Sequence, residues 1–165
     1  MLNVVYKEKR LSCDVYCNLR SSVGWLNFST IQTQKALENS VYDIVAYNGD
    51  TAVGMGRIVG DGALYCYIQD VVVHPEYQGM GIGTNILNRC IDYVSQMVEE
   101  DGRISLGLVS ALGKESFYEQ FGFKQLPHEF SGAGMRKVIY PASKNNNQIL
   151  YLLTVFKNIK KVCIG

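Results

Sequence analysis

Three glycines at alternate positions, Gly79, Gly81 and Gly83, follow closely on Pro75 and Gln78. Spacing of this kind suits one chemical task, the holding of an anion on main-chain amides. Glycine has no Cβ to keep an anion from the backbone. The first turn of a helix offers unpaired N–H groups and a partial positive charge. The flanking residues agree with such a use. Tyr65 to Val73 is rich in β-branched, apolar and aromatic residues and reads as a strand, closed by a proline that cannot donate to a ladder. Beyond the glycines, Ile86, Leu87, Cys90, Ile91 and Val94 recur at helical spacing. Strand, glycine turn and helix together make a phosphate cradle. Two common versions are excluded. A P-loop needs Gly-Lys-Ser/Thr, but Gly83 runs straight into Thr84. A dinucleotide fingerprint would need its third glycine at Thr84 or Ile86. What remains is Gln-x-x-Gly-x-Gly at Gln78, Gly81 and Gly83.

A second constellation is Phe117-Tyr118-Glu119-Gln120-Phe121-Gly122-Phe123. A phenol of pKa ~10 stays protonated at neutral pH and can pass a proton to a leaving thiolate, whose parent thiol has a pKa of ~8.5. Tyr118 is also one of 11 tyrosines, and packing on a sheet would account for it without chemistry. Phe117 and Phe121 read as core anchors. Cys66 and Cys90 lie on apolar stretches without a basic neighbour, so they read as small core residues rather than nucleophiles. His74 and His128 are the only two histidines and form no cluster, so no metal is expected.

Taken together, the run Asp70 to Gly83 and the Tyr118-x-x-x-Gly122-Phe123 segment resemble the GNAT superfamily of acyl-CoA-dependent N-acetyltransferases. The signature of that family is Arg/Gln-x-x-Gly-x-Gly/Ala after a Val-rich strand. The resemblance covers about Val4 to Ile139. It implies transfer of an acetyl group from acetyl-CoA to a primary amine, by direct attack in a ternary complex. The main chain of Val71, Val72 and Val73 would meet the pantetheine arm, beside a β-bulge near Gln69 to Val71. Gln78, Gly79, Met80, Gly81, Ile82, Gly83 and Thr84 would hold the pyrophosphate. Tyr118 would be the general acid. Asp70 could serve as base through a water held with Gln69 and Tyr67, or pair with the cationic amine, or pair with a structural neighbour. Glu76 reads as solvated and His74 as structural. Acceptor walls would come from Leu19 to Trp25 and from His128 to Met135, with Trp25, Gln69 and Phe130 as contact candidates. Two other readings fit the same motifs. One is a non-catalytic acyl-CoA-binding or sensing module. The other is an acyltransferase for longer acyl chains or protein amines.

Bulk properties narrow the partners. A chain of 165 residues with 47% hydrophobic and 19% charged residues is an ordinary globular composition. A net charge of +1 gives no case for nucleic acid. The expected acceptor is a small-molecule amine, although a near-neutral charge does not itself choose between a small amine and a peptide. The longest apolar run, Ile149 to Phe156, is too short for a bilayer, so no membrane partner is expected. Five cysteines without paired spacing, and no signal-like start, lead to the expectation of a reducing, cytoplasmic compartment.

The elements that must position these groups follow in order. Leu2 to Lys7 reads as a strand. Ser12 can cap a helix from Cys13 to Ser22, and Ser29 or Thr30 a second to Asn39. Tyr42–Tyr47, Thr51–Val59 and Ala63–Val73 form a meander through the turns at Asn48-Gly49-Asp50 and Gly60-Asp61-Gly62. The glycine turn and a helix to about Glu100 lead to a strand from Arg103 to Val109, which must pair in parallel. A short helix from Leu112 to Phe121 stops at Gly122. Strands at Phe123–Leu126 and Met135–Ile139 close the sheet. The expected class is α/β mixed: a mostly antiparallel sheet, a central parallel pair splayed to hold acyl-CoA, and helices on both faces. Residues 1–140 form this domain. Residues 141–165 form an apolar extension that packs on the domain or on a second subunit, in a homodimer. Truncation after Tyr140 should expose apolar surface and lower solubility or shift the gel-filtration volume. An unchanged elution and solubility would count against the extension as a packed element.

Overall fold

The computed structural model describes residues 3–140. The chain divides into two compact units, Met1–Ala111 and Leu112–Gly165. The first is a five-stranded sheet with helices on both faces. Strands β1 (Val4–Glu8), β2 (Tyr42–Asn48), β3 (Thr51–Gly60) and β4 (Tyr65–Val73) pair antiparallel in sequence order, and β5 (Ser105–Leu108) joins β4 in parallel. Helices α1 (Cys13–Ser22) and α2 (Thr30–Glu38) lie between β1 and β2 in sequence, and α3 (Ile82–Met97) between β4 and β5. The order agrees with the expected meander and crossover.

Local chemistry accounts for the boundaries. The Ser12 and Ser29 hydroxyls accept from the N–H groups of Val15 and Gln32, capping α1 and α2. Gly49, at φ +60, turns the β2–β3 hairpin. Asp61 Oδ1 accepts three N–H bonds, from Ala63, Leu64 and Tyr65, and so shapes the β3–β4 turn.

Two glycines set how closely α3 approaches the sheet. A Cβ on Gly56 would lie 2.5 Å from Ile86 Cγ2, and one on Gly54 would lie 3.0 Å from Ile86 Cδ1. Gly54 and Gly56 therefore face α3, whose Ile82, Ile86, Leu87, Cys90 and Val94 are buried. Odd-numbered Met55 faces the other side, where it clusters with Leu11, Tyr16, Leu19, Val45 and Val72. The sheet is thus covered by α1 and α2 on one face and by α3 on the other, as two apolar surfaces require.

The second unit departs from the sequence-based expectations. Helix α4 covers only Glu115–Glu119. Gly113, at φ +78, keeps Leu112 to Lys114 out of it, and Gly122, at φ +85, follows its end as expected. The strands expected at Phe123–Leu126 and Met135–Ile139 do not form. Among the described residues of this unit the pairing is one bridge, between His128 and Ser131. Leu126, Met135, Val138 and Ile139 remain exposed, so these residues gain neither a ladder nor a buried face. Among the described residues the parallel pair consequently stands at one end of the sheet rather than at its centre. The extension expected at 141–165 lies outside the described residues. Gly56→Ala should destabilise the first unit by about 1–3 kcal/mol through overpacking against Ile86. Urea denaturation checks this; a loss under about 0.5 kcal/mol would mean that α3 can back away freely.

Candidate active site

The site begins at an irregularity in β4. Met55 pairs with Val72, but Arg57 pairs with Gln69. Two steps along β3 match three along β4, so β4 carries one extra residue, a β-bulge at Asp70–Val71. Asp70 takes φ +55, a left-handed conformation unusual for a non-glycine residue. The bulge reverses the alternation of the strand. Ile68 pairs with Ile58 and shares the α3 face, whereas Val72 belongs to the cluster under α1. Unbroken alternation would send Asp70 toward α3; the bulge turns it toward α1.

Asp70 is 5% exposed and its carboxylate accepts four hydrogen bonds. Arg20 Nη1 donates to Oδ1 at 2.7 Å, and Arg57 Nη2 to Oδ2 at 3.1 Å. Arg57 Nε and the Tyr16 hydroxyl add bonds of 3.3 and 3.1 Å. Burial, with the Asp70 charge second, pushes the Tyr16 phenol up to about 12, so it remains a donor at neutral pH. The guanidinium groups reach further. Arg57 Nη1 donates to the Ala36 carbonyl and Ser40 Oγ, and Arg20 Nη2 to the Leu26 carbonyl at 2.7 Å. One carboxylate thereby joins α1, β3, the end of α2 and the loop after α1.

The bulge also marks where β4 is left unpaired. β5 pairs with β4 only over Tyr65–Ile68. The His74 N–H donates to the Val53 carbonyl at 2.9 Å, so Val72 and His74 present their main chain to β3. Val71 and Val73 then turn theirs the other way. There, among the described residues, no strand pairs with β4 beyond Ile68. Gln78 Nε2 donates to the Val73 carbonyl at 3.0 Å and ties the next turn to this edge.

That turn runs through a single 3-10 turn, Pro75–Tyr77, into two left-handed glycines, Gly79 at φ +75 and Gly81 at φ +77. A Cβ on Gly79 would meet nothing within 4 Å, so backbone conformation rather than crowding is what calls for glycine there. Helix α3 starts at Ile82 with no side-chain cap on its first N–H groups. Ile82 buries its side chain in the core, leaving its main chain to the turn, and Met80 and Thr84 are exposed. The result is a helix N-terminus without a side-chain cap, reached within a few residues of the end of β4.

The other expected residues are placed as follows. Gln69 is exposed on β4, next to the bulge. Trp25 is half-buried, with the Arg20 guanidinium 5.2 Å from its ring centre. Tyr118 and Phe130 belong to the second unit. Tyr118 packs edge-on to Phe117 at 5.1 Å and to Phe123 at 6.3 Å, and burial raises its pKa. Phe130 is 85% exposed. Cys66 and Cys90 are buried, and burial alone pushes the Cys90 thiol up to about 12. Sequence reasoning missed Tyr16 and Arg57, and took Arg20 only as part of an acceptor segment. One signal was available: Arg57 interrupts the otherwise uncharged strand Thr51–Gly60, and a charge in such a strand needs a partner.

Comparison with known proteins agrees with the fold. The acetyltransferase (GNAT) domain family model matches residues 22–143. The chain is 31% identical over 113 residues to an uncharacterized N-acetyltransferase ycf52-like protein of Prochlorococcus marinus, covering 66% of this chain and 61% of that one. It is 30% identical over 139 residues to the uncharacterized N-acetyltransferase ycf52 of Pyropia yezoensis, covering 78% of each. A probable acetyltransferase from Staphylococcus aureus superposes with a TM-score of 0.74 at 26% identity, over 84% of this chain and all of that one (100%). The chain belongs to the GNAT acetyltransferase family.

Removing one member of the buried network should have unequal effects. Asp70→Asn leaves two buried guanidinium groups without a counter-ion and should cost about 3–5 kcal/mol. Arg20→Met leaves the Asp70–Arg57 pair balanced and should cost clearly less. Chemical denaturation of both variants checks the order; an equal or reversed order would show that Asp70 is not the hub.

Proposed function

We propose that the chain transfers an acetyl group from acetyl-CoA to a primary amine, with the amine attacking directly while both substrates are bound. The observation that carries this reading is the β4 edge left unpaired after the bulge, leading into the uncapped glycine turn of α3. The main chain of Val71 and the N–H of Val73, whose carbonyl already accepts from Gln78, would bond an extended amide chain as an added strand would. Val72 lends its side chain to the core beneath them. The N–H groups from Gly79 to Thr84 would receive the pyrophosphate, with Gln78 bracing the turn through Val73. When bound, acetyl-CoA supplies an activated thioester; the rest of the chemistry falls to side chains.

Tyr118 is the group we assign as general acid. Its pKa is raised by burial, so it carries its proton at neutral pH, as an acid for a departing thiolate must. A covalent cysteine route is disfavoured, because Cys66 and Cys90 are buried thiols held in the protonated form. We assign Asp70 a structural role rather than that of base. Its oxygens already accept four bonds from buried donors, so a proton from the amine would have to displace them. The acceptor wall would include Trp25 and Gln69. A small amine with apolar or aromatic surface suits those residues. Among the described residues no helix is long and apolar enough to cross a membrane. Cys13, Cys17, Cys66 and Cys90 are unpaired, which suits a reducing compartment such as the cytoplasm.

Coenzyme A should bind the full chain measurably by calorimetry. A panel of primary amines with acetyl-CoA should release thiol for at least one member. Tyr118→Phe should lower kcat about 100-fold while leaving coenzyme A affinity near that of the wild type. Binding without turnover for any amine would favour an acyl-CoA sensor instead, and no binding would remove the cradle reading altogether.

A further inference from the structure

Arg20 has more partners than charge balance requires. One carboxylate, Asp70, faces two guanidinium groups, so the buried cluster carries one positive charge in excess. Arg57 alone would neutralise Asp70 and gives it two of its four bonds. A second buried guanidinium has a desolvation cost that something must offset. The offsetting groups surround Arg20. Its guanidinium lies 5.2 Å from the Tyr16 ring centre, 5.2 Å from Trp25 and 5.1 Å from Phe28, and Nη2 donates to the Leu26 carbonyl. Apart from Tyr16, these groups belong to the segment just after α1, and the Trp25 N–H donates in turn to the Arg20 carbonyl at 2.9 Å. Arg20 thus spends one nitrogen on the bulge and another on this loop, each at 2.7 Å. A planar guanidinium fixes the angle between those two bonds, which a lysine ammonium cannot do.

We infer that Arg20 is a positioning residue that locks the Trp25–Phe28 wall to the β4 bulge, and so sets the acceptor wall relative to the edge that would hold the acyl donor. The inference rests on the proposed acceptor role of Trp25. Arg57 contacts the same carboxylate but bonds to Ala36 and Ser40, away from that loop, and serves as the internal control.

Trp25 is the only tryptophan, so its emission reports this wall directly. Arg20→Met and Arg57→Met each leave one balanced ion pair, so they are compared with the wild type as full chains. Three quantities are measured: acrylamide quenching of Trp25, coenzyme A affinity by calorimetry, and melting temperature. Arg20→Met should raise the quenching constant about twofold or more, because Trp25 loses the cation that covers its face. Its coenzyme A affinity should stay near that of the wild type, because Arg57 keeps Asp70 in place. Arg57→Met should leave quenching near the wild-type value even if it melts earlier. Should Arg20→Met fail to fold, Arg20→Lys keeps the charge, loses the fork, and should show the same rise. Wild-type quenching in the folded Arg20 variant, or an equal rise in Arg57→Met, would overturn the inference. Failure of the wild type to bind coenzyme A would instead sink the proposed function, and leaves the quenching comparison intact as a test of the Arg20 link.

Discussion

A buried carboxylate in a left-handed bulge is the constraint on which the first unit depends. Asp70 occupies a backbone conformation that costs of order 1 kcal/mol for a residue with a Cβ. It is held there because four donors from α1 and β3 converge on it in a site closed to water. Each donor is also bonded or packed elsewhere, so moving Asp70 would strand several buried polar groups at once. The bulge is thereby held from several sides, and among the described residues no strand pairs with β4 on its β5 side beyond Ile68.

The second constraint is the close seat of α3 on β3. Gly54 and Gly56 bring Ile82 and Ile86 down onto the sheet, and this places the start of α3 beside the end of β4. Two left-handed glycines then turn the chain from strand to helix within a few residues. Strand edge and helix N-terminus thereby become neighbours, although one belongs to the sheet and the other to the layer above it. Neither alone would favour an elongated anionic ligand; an extended amide chain needs the edge, and a diphosphate needs the helix end.

Much of this architecture was legible in the sequence, because its signals are short-range. Serine caps, apolar residues at helical spacing, a Val-rich strand and glycines at fixed offsets all lie within a few residues of the structure they specify. These signals identified α1, α2, the meander, the glycine turn and α3 to within a few residues. The family, too, followed from the Gln78–Gly83 run and the Tyr118–Phe123 segment. The weaker readings were those in which local pattern stood in for a missing partner. Met135 to Ile139 has strand-forming residues, but a strand exists only when a ladder and a buried face receive it.

The sequence by itself determined the helices, strands and turns of the first unit, and that a glycine turn leads from β4 into α3, because propensity and capping act over one or two turns of chain. Only the tertiary structure decided what Asp70 does. Its partners lie 54, 50 and 13 residues away, at Tyr16, Arg20 and Arg57. Its direction depends on a one-residue mismatch between two strands that neither strand shows alone. A carboxylate takes its role from the charges that surround it and the water that is kept out, and both are set by packing between distant parts of the chain.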